Sequence, residues 1–211
     1  EGCEFLSVWP RQVTETVAER VSVPFIDMIL LGWLPVIGVK FLPFPVFSAG
    51  NGQFMMWSRR AYELMGGHAS VKGTVLEDVK IARKTKAAGV PVGLALGGGA
   101  IETRMYTSWP QVRQGFNKNI LAVHMNSRAA MLFSVTVHTL MYTAPLLLAF
   151  IDPAWLWLLA VGVLMRSAVC LKTRRNPREG LLQPLVSLPL WIITVDAFRN
   201  RGKVLWKGRQ Y

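Results

Sequence analysis

The stretch Thr74-Val75-Leu76-Glu77-Asp78-Val79, followed by the basic run Lys80-Ile81-Ala82-Arg83-Lys84-Thr85-Lys86-Ala87-Ala88-Gly89, decides how this chain is read. Thr74 with Glu77 three residues later is the pattern of a helix-opening capping box, and Gly89 is a stop, so a helix is expected between them. Its two adjacent carboxylates stand out because the 211-residue chain holds 12 Asp+Glu against 24 Lys+Arg. The capping box accounts for Glu77. Asp78 has no such role. In the first turn the helix dipole favours its ionised form, and an ionised carboxylate is able to take a proton from a hydroxyl. The local pattern leaves Asp78 open between that task and a solvated first-turn acid.

A net charge of +12 points to polyanions: nucleic acid, an anionic membrane surface or phosphorylated substrates. With 52% hydrophobic residues, and with neither a zinc-finger spacing nor an aromatic-basic RNP motif, the sequence argues against nucleic acid. Cys3 and Cys170 are too far apart for a CxxC site, and no metal cluster follows from the sequence. His68, without a partner at ligand spacing, reads as structural. Gly97-Gly98-Gly99 has no following Lys-Ser/Thr and completes no GxGxxG, so it reads as a turn between strands.

Outward from the helix the chain divides in two. Residues 1–127 mix polar, Gly-rich and apolar segments like an α/β layer, with strands expected at Gln53–Trp57, Pro91–Leu96 and Ala100–Tyr106. Helices are expected from Arg59 to Met65 and from Ser108-Trp109-Pro110 to Met125. Val21 to Phe47 is apolar but broken by prolines, Asp27 and Lys40, and reads as a membrane-surface helix and loop, with a buried core segment as the alternative. Residues 128–211 form the membrane region. Ala129–Ile151 carries no formal charge and is long enough to cross a hydrocarbon core of ~30 Å. Pro153–Leu171 is a second span, opened by Trp155 and Trp157 and interrupted by Arg166, with Asp152-Pro153 as the turn. The basic loop Lys172–Arg178 places the end of that span, and Arg128 the start of the first, on the cytoplasmic side. The segment 181–198, broken by Pro184, Pro189 and Asp196, reads as re-entrant or interfacial rather than spanning, and a basic tail follows. Glu1 is not an initiator methionine, so a longer protein is expected around this chain.

Arg104, Arg113 and Lys118 flank Tyr106 and Trp109 ahead of the membrane. Pyrophosphate binding and headgroup binding are both open for them. Lys80, Arg83 and Lys84 read as a solvated or membrane-facing surface.

The order of segments adds a further signal. Gly50-Asn51-Gly52-Gln53-Phe54, Arg59-Arg60-Ala61-Tyr62, Gly66-Gly67-His68, Glu77-Asp78, Arg104-Met105-Tyr106, Gly115-Phe116-Asn117-Lys118-Asn119 and Trp206-Lys207-Gly208-Arg209 follow one another along nearly the whole chain. This order resembles the C-terminal part of membrane-bound family 2 glycosyltransferases, in the lipid-modifying branch that includes carotenoid, hopanoid and ceramide glycosyltransferases. The resemblance implies a GT-A fold, a multi-pass membrane location with the catalytic part cytoplasmic, and inverting transfer from a nucleotide-sugar donor to a lipid acceptor. It implies Asp78, with Glu77 beside it, as the catalytic pair, and Gly52 and Gln53 at the acceptor entrance. Arg104, Arg113 and Lys118 are the candidates for the donor diphosphate. The chain departs from the processive members: Gln111-Val112-Arg113-Gln114-Gly115 lacks their Gln-x-x-Arg-Trp pattern. That departure argues against a polysaccharide synthase and puts the diphosphate role of Arg113 and Lys118 in doubt.

The resemblance also implies Mg²⁺ or Mn²⁺ on an Asp-x-Asp motif, yet the aspartates are Asp27, Asp78, Asp152 and Asp196. The metal ligands and the nucleotide-binding half are therefore expected upstream of Glu1, and the fragment alone is expected to be inactive. A processive polysaccharide synthase and a non-catalytic basic membrane anchor are the alternatives.

Overall fold

The computed structural model describes residues 2–34 and 36–200, with the backbone of Leu205–Trp206 and Arg209–Gln210. Arg201, Gly202, Lys203, Lys207 and Gly208, which the sequence places in the basic tail and its last motif, lie outside the described residues.

The first strand, β1 (Phe5–Trp9), has no counterpart in the sequence reading, although it is the middle of a sheet. It is short and buries Phe5, Ser7 and Val8, so no period-two alternation announces it. β2 (Arg11–Gln12) follows, then α1 (Val17–Ser22), α2 (Pro24–Trp33) and α3 (Val36–Phe41), with a 3₁₀ turn at Pro45–Phe47. β3 (Met55–Trp57) lies antiparallel to β1, with Phe5 opposite Trp57. Beyond α4 (Arg59–Leu64) and α5 (Glu77–Ala87), β4 (Val92–Leu96) lies parallel to β1 on its other side. Phe5, Val39, Ala82 and Val92 form the core that joins sheet, α3 and α5. The expected strand Ala100–Tyr106 shortens to β5 (Glu102–Thr103), which pairs with β2 through Arg11 and Glu102. The chain is thus mixed α/β.

The helical part begins at α6 (Trp109–Val123). α7 (Arg128–His138), a wide π turn at Thr139–Thr143 and α8 (Ala144–Leu148) then form one apolar run. Pro145 has no N–H to donate and its ring collides with a carbonyl of the preceding turn, and the π turn lies immediately before it. α9 (Trp155–Lys172) starts after Asp152 Oδ1 accepts the Ala154 N–H at 2.9 Å, the turn expected there. These runs, Arg128–Leu148 and Trp155–Lys172, are 21 and 18 residues long. At 1.5 Å per residue they reach about 31 and 27 Å, enough for a hydrocarbon core. The 3₁₀ segment Pro177–Leu185 and α10 (Ser187–Arg199) meet at a 50° bend, the form of a broken span or a re-entrant loop. β6 (Leu205–Trp206) and β7 (Arg209–Gln210) close the chain as an antiparallel pair.

Two compact units emerge, and their division differs from the expected one at 127/128. One holds residues 1–12 and 27–103, the other 13–26 and 104–211. α6, expected with the α/β layer, packs through Ile120 against Met131, Ile193 and Ala197 of α7 and α10. Nor does Val21–Phe47 stay together as one surface segment. Phe25 sets its ring edge-on against His138 of α7 at 5.0 Å, while Asp27 belongs to the α/β unit and accepts the Trp9 indole N–H at 2.8 Å.

Inside the helical unit the polar residues of the apolar runs are turned on one another. Arg166, which interrupted the second span, is fully buried and donates to the carbonyls of Arg20 and Val21 and to Gln183 Oε1. Thr143 Oγ1 donates to the Pro184 carbonyl at 2.5 Å, and the Trp191 indole N–H donates to Thr139 Oγ1 at 2.9 Å. Such interhelical bonds are how polar groups are accommodated at membrane depth.

Candidate functional site

The carboxylate that the sequence singled out is held by an unusual turn. Leu76 has φ 58° and ψ 46°, left-handed backbone that a branched non-glycine residue enters at about 1–2 kcal/mol. Because of it the helix begins at Glu77 rather than directly after Thr74. The capping box expected between Thr74 and Glu77 is absent: Thr74 Oγ1 donates to the Val71 carbonyl at 2.7 Å, and Glu77 stands exposed at the first helical position. The same Thr-x-x-Glu pattern does form a capping box elsewhere, at Thr16 and Glu19 of α1.

Asp78 is half-buried. Its Oδ2 accepts the Gly52 N–H at 3.0 Å and its Oδ1 accepts the Val79 N–H at 2.8 Å. Burial pushes its carboxyl above the ordinary carboxylate range, and the two N–H donors pull it only part of the way back. The Gly50–Phe54 loop that supplies Gly52 is anchored by β1, where Ser7 Oγ accepts the Asn51 N–H at 2.9 Å. Asn51 Oδ1 accepts the Gln53 N–H at 3.0 Å. Gly50 has a steric reason to be glycine: a Cβ there would lie 2.3 Å from the Asp78 carbonyl oxygen. At Gly52 a Cβ would meet Asp78 at an ordinary 3.6 Å. Gln53 reaches Thr103 Oγ1 at 3.3 Å. Asp78, Gly52 and Gln53 are thus gathered in the α/β unit.

The cationic candidates lie in the helical unit, each in a setting of its own. Arg104 donates to Glu19 Oε2 at 3.0 Å and Oε1 at 3.1 Å, and to Glu15 Oε2 at 2.7 Å. Glu19 is fully buried, and the Arg104 guanidinium lowers its carboxyl to about 2. Arg113 grips Asp196 of α10 through two nitrogens, the Nη2 contact being 2.6 Å. Both arginines therefore serve as ion-pair partners of carboxylates, and neither diphosphate assignment gains support from this geometry. Lys118 is half-buried on α6.

No protein-family model, curated protein or solved structure matches the chain. The motifs that carry the glycosyltransferase resemblance have local structural roles of their own. A Cβ at Gly115 would lie 2.3 Å from the Tyr106 hydroxyl, so the Arg104-Met105-Tyr106 and Gly115-Phe116 motifs meet as a ring packed on a bare helix turn. Gly67, at φ 57°, is likewise covered by the Tyr62 ring, and the Tyr62 oxygen lies 2.8 Å from His68 Nδ1.

Among the described residues no group of three or more His, Cys, Asp and Glu stands ready for a metal ion. These residues do not fit the Mg²⁺ or Mn²⁺ that the resemblance implies. The residues that sequence reasoning missed are Ser7, Gly50, Asn51 and Leu76. Ser7 and Leu76 carried no local signal, whereas Gly50 and Asn51 belong to the Gly50–Phe54 motif that carries the resemblance.

Proposed function

We propose that this chain is the acceptor-side part of a membrane-bound glycosyltransferase in which Asp78 is the general base toward a lipid hydroxyl. The observation that supports it is Asp78 itself, a carboxylate in a sterically costly helix start, half-buried and fixed by the Gly52 N–H. The strained backbone is that of Leu76, two residues before the carboxylate, and strain of this kind clusters at functional sites. In the reaction, the acceptor hydroxyl oxygen bonds to the anomeric carbon as the bond from that carbon to the diphosphate breaks. The hydroxyl proton passes to Asp78, and the diphosphate leaves with the electron pair. A base whose carboxyl titrates above the ordinary range accepts that proton more readily than a solvated aspartate.

Transfer is expected to be lost on Asp78→Asn in a protein that carries both halves, with donor binding retained. Full transfer by that variant would move the base elsewhere. Two helices of membrane length favour a membrane-embedded acceptor over a soluble one. Lipid extracts of cells expressing the protein distinguish single sugars on a lipid from a polymer.

A further inference from the structure

The α/β unit carries an apolar surface that its own core does not cover. On α3, Val39 is buried with Phe5, Ala82 and Val92, whereas Ile37 and Phe41 on the remaining face are 77% and 70% exposed. The exposed series continues through Phe44 and Val46 beyond α3, and Trp33 precedes it at the end of α2. Between Met28 and Ser58 the sequence holds no acid, and Lys40 is its one charged residue. The Lys40 ammonium stands 5.4 Å over the Phe41 ring.

We propose that α3 and the Pro45–Phe47 turn form a seat in the interface of an anionic bilayer, and that Lys86 ties this seat to the helix carrying Asp78. Aromatic and aliphatic side chains with a basic residue and no acid suit the boundary between anionic headgroups and acyl chains. A protein partner is the weaker fit, because this surface offers it one charge and no acceptor carboxylate. The same chain carries two helices of membrane length, so a bilayer is at hand.

Lys86 is buried on α5, and its ammonium donates to the carbonyls of Gly38, Val39 and Phe47 at 3.1, 2.7 and 3.0 Å. Its three donors satisfy carbonyls on both α3 and the turn, so the exposed segment is fastened from its inner side. From Phe47 the chain continues directly to Gly50, which packs on the backbone of Asp78. The segment is therefore tied to α5 at two places. The acceptor route this implies, from the bilayer to Asp78, rests on the glycosyl-transfer reading; the seat itself does not.

The test places nitroxide labels at Ile37→Cys, Phe41→Cys and Val46→Cys, one at a time, on the full chain with Cys3→Ser. The protein is held in nanodiscs of phosphatidylcholine with phosphatidylglycerol, and Arg83→Cys, on an exposed position of α5, is the aqueous control. The three labels are expected to be relaxed more by oxygen than by an aqueous nickel chelate, with the order reversed at residue 83. Equal nickel access at all four positions overturns the seat, as does shielding from both reagents, the signature of a protein cover. With Lys86→Met, the label at residue 41 is expected to gain mobility and lose depth. An unchanged line shape and depth overturn the tie. Since no sugar donor is present, these outcomes are independent of whether transfer occurs.

Discussion

The backbone N–H of Gly52 lies 3.0 Å from Oδ2 of Asp78, across a separation of 26 residues in the chain. That contact fixes a half-buried carboxylate toward an open glycine loop, and it rests on the left-handed backbone of Leu76 and the bare Cα of Gly50.

On the proposed reading of Asp78 as general base, Asp78→Asn is expected to cost sugar transfer at least about 10²-fold, the scale of a lost general base. The carboxyl is raised above its ordinary value, so its folded-state stabilisation is greatest at acid pH, where it is protonated in both states. That contribution is lost as pH rises through the raised value. Thermal unfolding of Asp78→Asn relative to the parent should therefore compare more favourably at pH 7 than at pH 4. On the proposed reading, transfer should for the same reason fall on acidification above the range of a solvated aspartate.

Gly50→Ala places a Cβ 2.3 Å from the Asp78 carbonyl oxygen, and overpacking of this kind costs about 1–3 kcal/mol. Gly52→Ala, with 3.6 Å of room, should leave the melting temperature nearly unchanged. Equal melting of the two variants would show that the loop does not hold α5 as described.

Leu76 distinguishes strain from packing. Leu76→Gly removes the left-handed penalty of about 1–2 kcal/mol while adding unfolded-state entropy, so its net effect should be small. Leu76→Val puts a β-branched residue at φ 58° and should destabilise by more than about 1 kcal/mol. Denaturant midpoints of the two variants test the sign.

Arg104→Met leaves Glu19 buried without its cation, which costs about 3 kcal/mol when one partner of a buried pair is removed. Glu19 is held down to about 2, so its stabilisation is present above the ordinary glutamate range and is lost as pH falls from near 4.5 toward 2. The variant should lose that acid dependence. Arg104→Lys should restore little, because the guanidinium serves both oxygens of Glu19 and also Glu15. An arginine reserved for phosphate would leave melting unchanged in both variants.

Gly115→Ala and Tyr106→Ala are expected to be non-additive. The first clashes with the Tyr106 ring, whose hydroxyl would be 2.3 Å from the new Cβ, and the second removes that ring. A double-mutant cycle should return a coupling of about 1–3 kcal/mol.

Part of this architecture was legible because it depends on neighbours in sequence. The membrane-length runs, the Asp152-Pro153 turn and the helix after Ser58 follow from local hydropathy and capping. The capping pattern also shows where reading stops. Thr16-Val17-Ala18-Glu19 and Thr74-Val75-Leu76-Glu77 have the same form, yet only the first closes a capping box. Near the second, Leu76 takes left-handed backbone two residues before Asp78, which the Gly50–Phe54 loop contacts, and nothing within four residues specifies that. β1 was missed for a related reason, since a short strand buried on both faces looks like any apolar pentapeptide until partners pair with it.

The sequence by itself determined an acid-poor, basic and strongly apolar chain, two runs long enough for a bilayer, and a carboxylate pair opening a helix. Those are sums over adjacent residues. Only the tertiary structure decided that Asp78 is held by the Gly52 N–H while Glu77 stands exposed, that Arg104 and Arg113 are engaged across 85 and 83 residues by Glu19 and Asp196, and that Lys86 fastens α3. Those pairings form only once packing has paid the entropy of closing long loops and has removed water from the groups involved, so no local pattern encodes them.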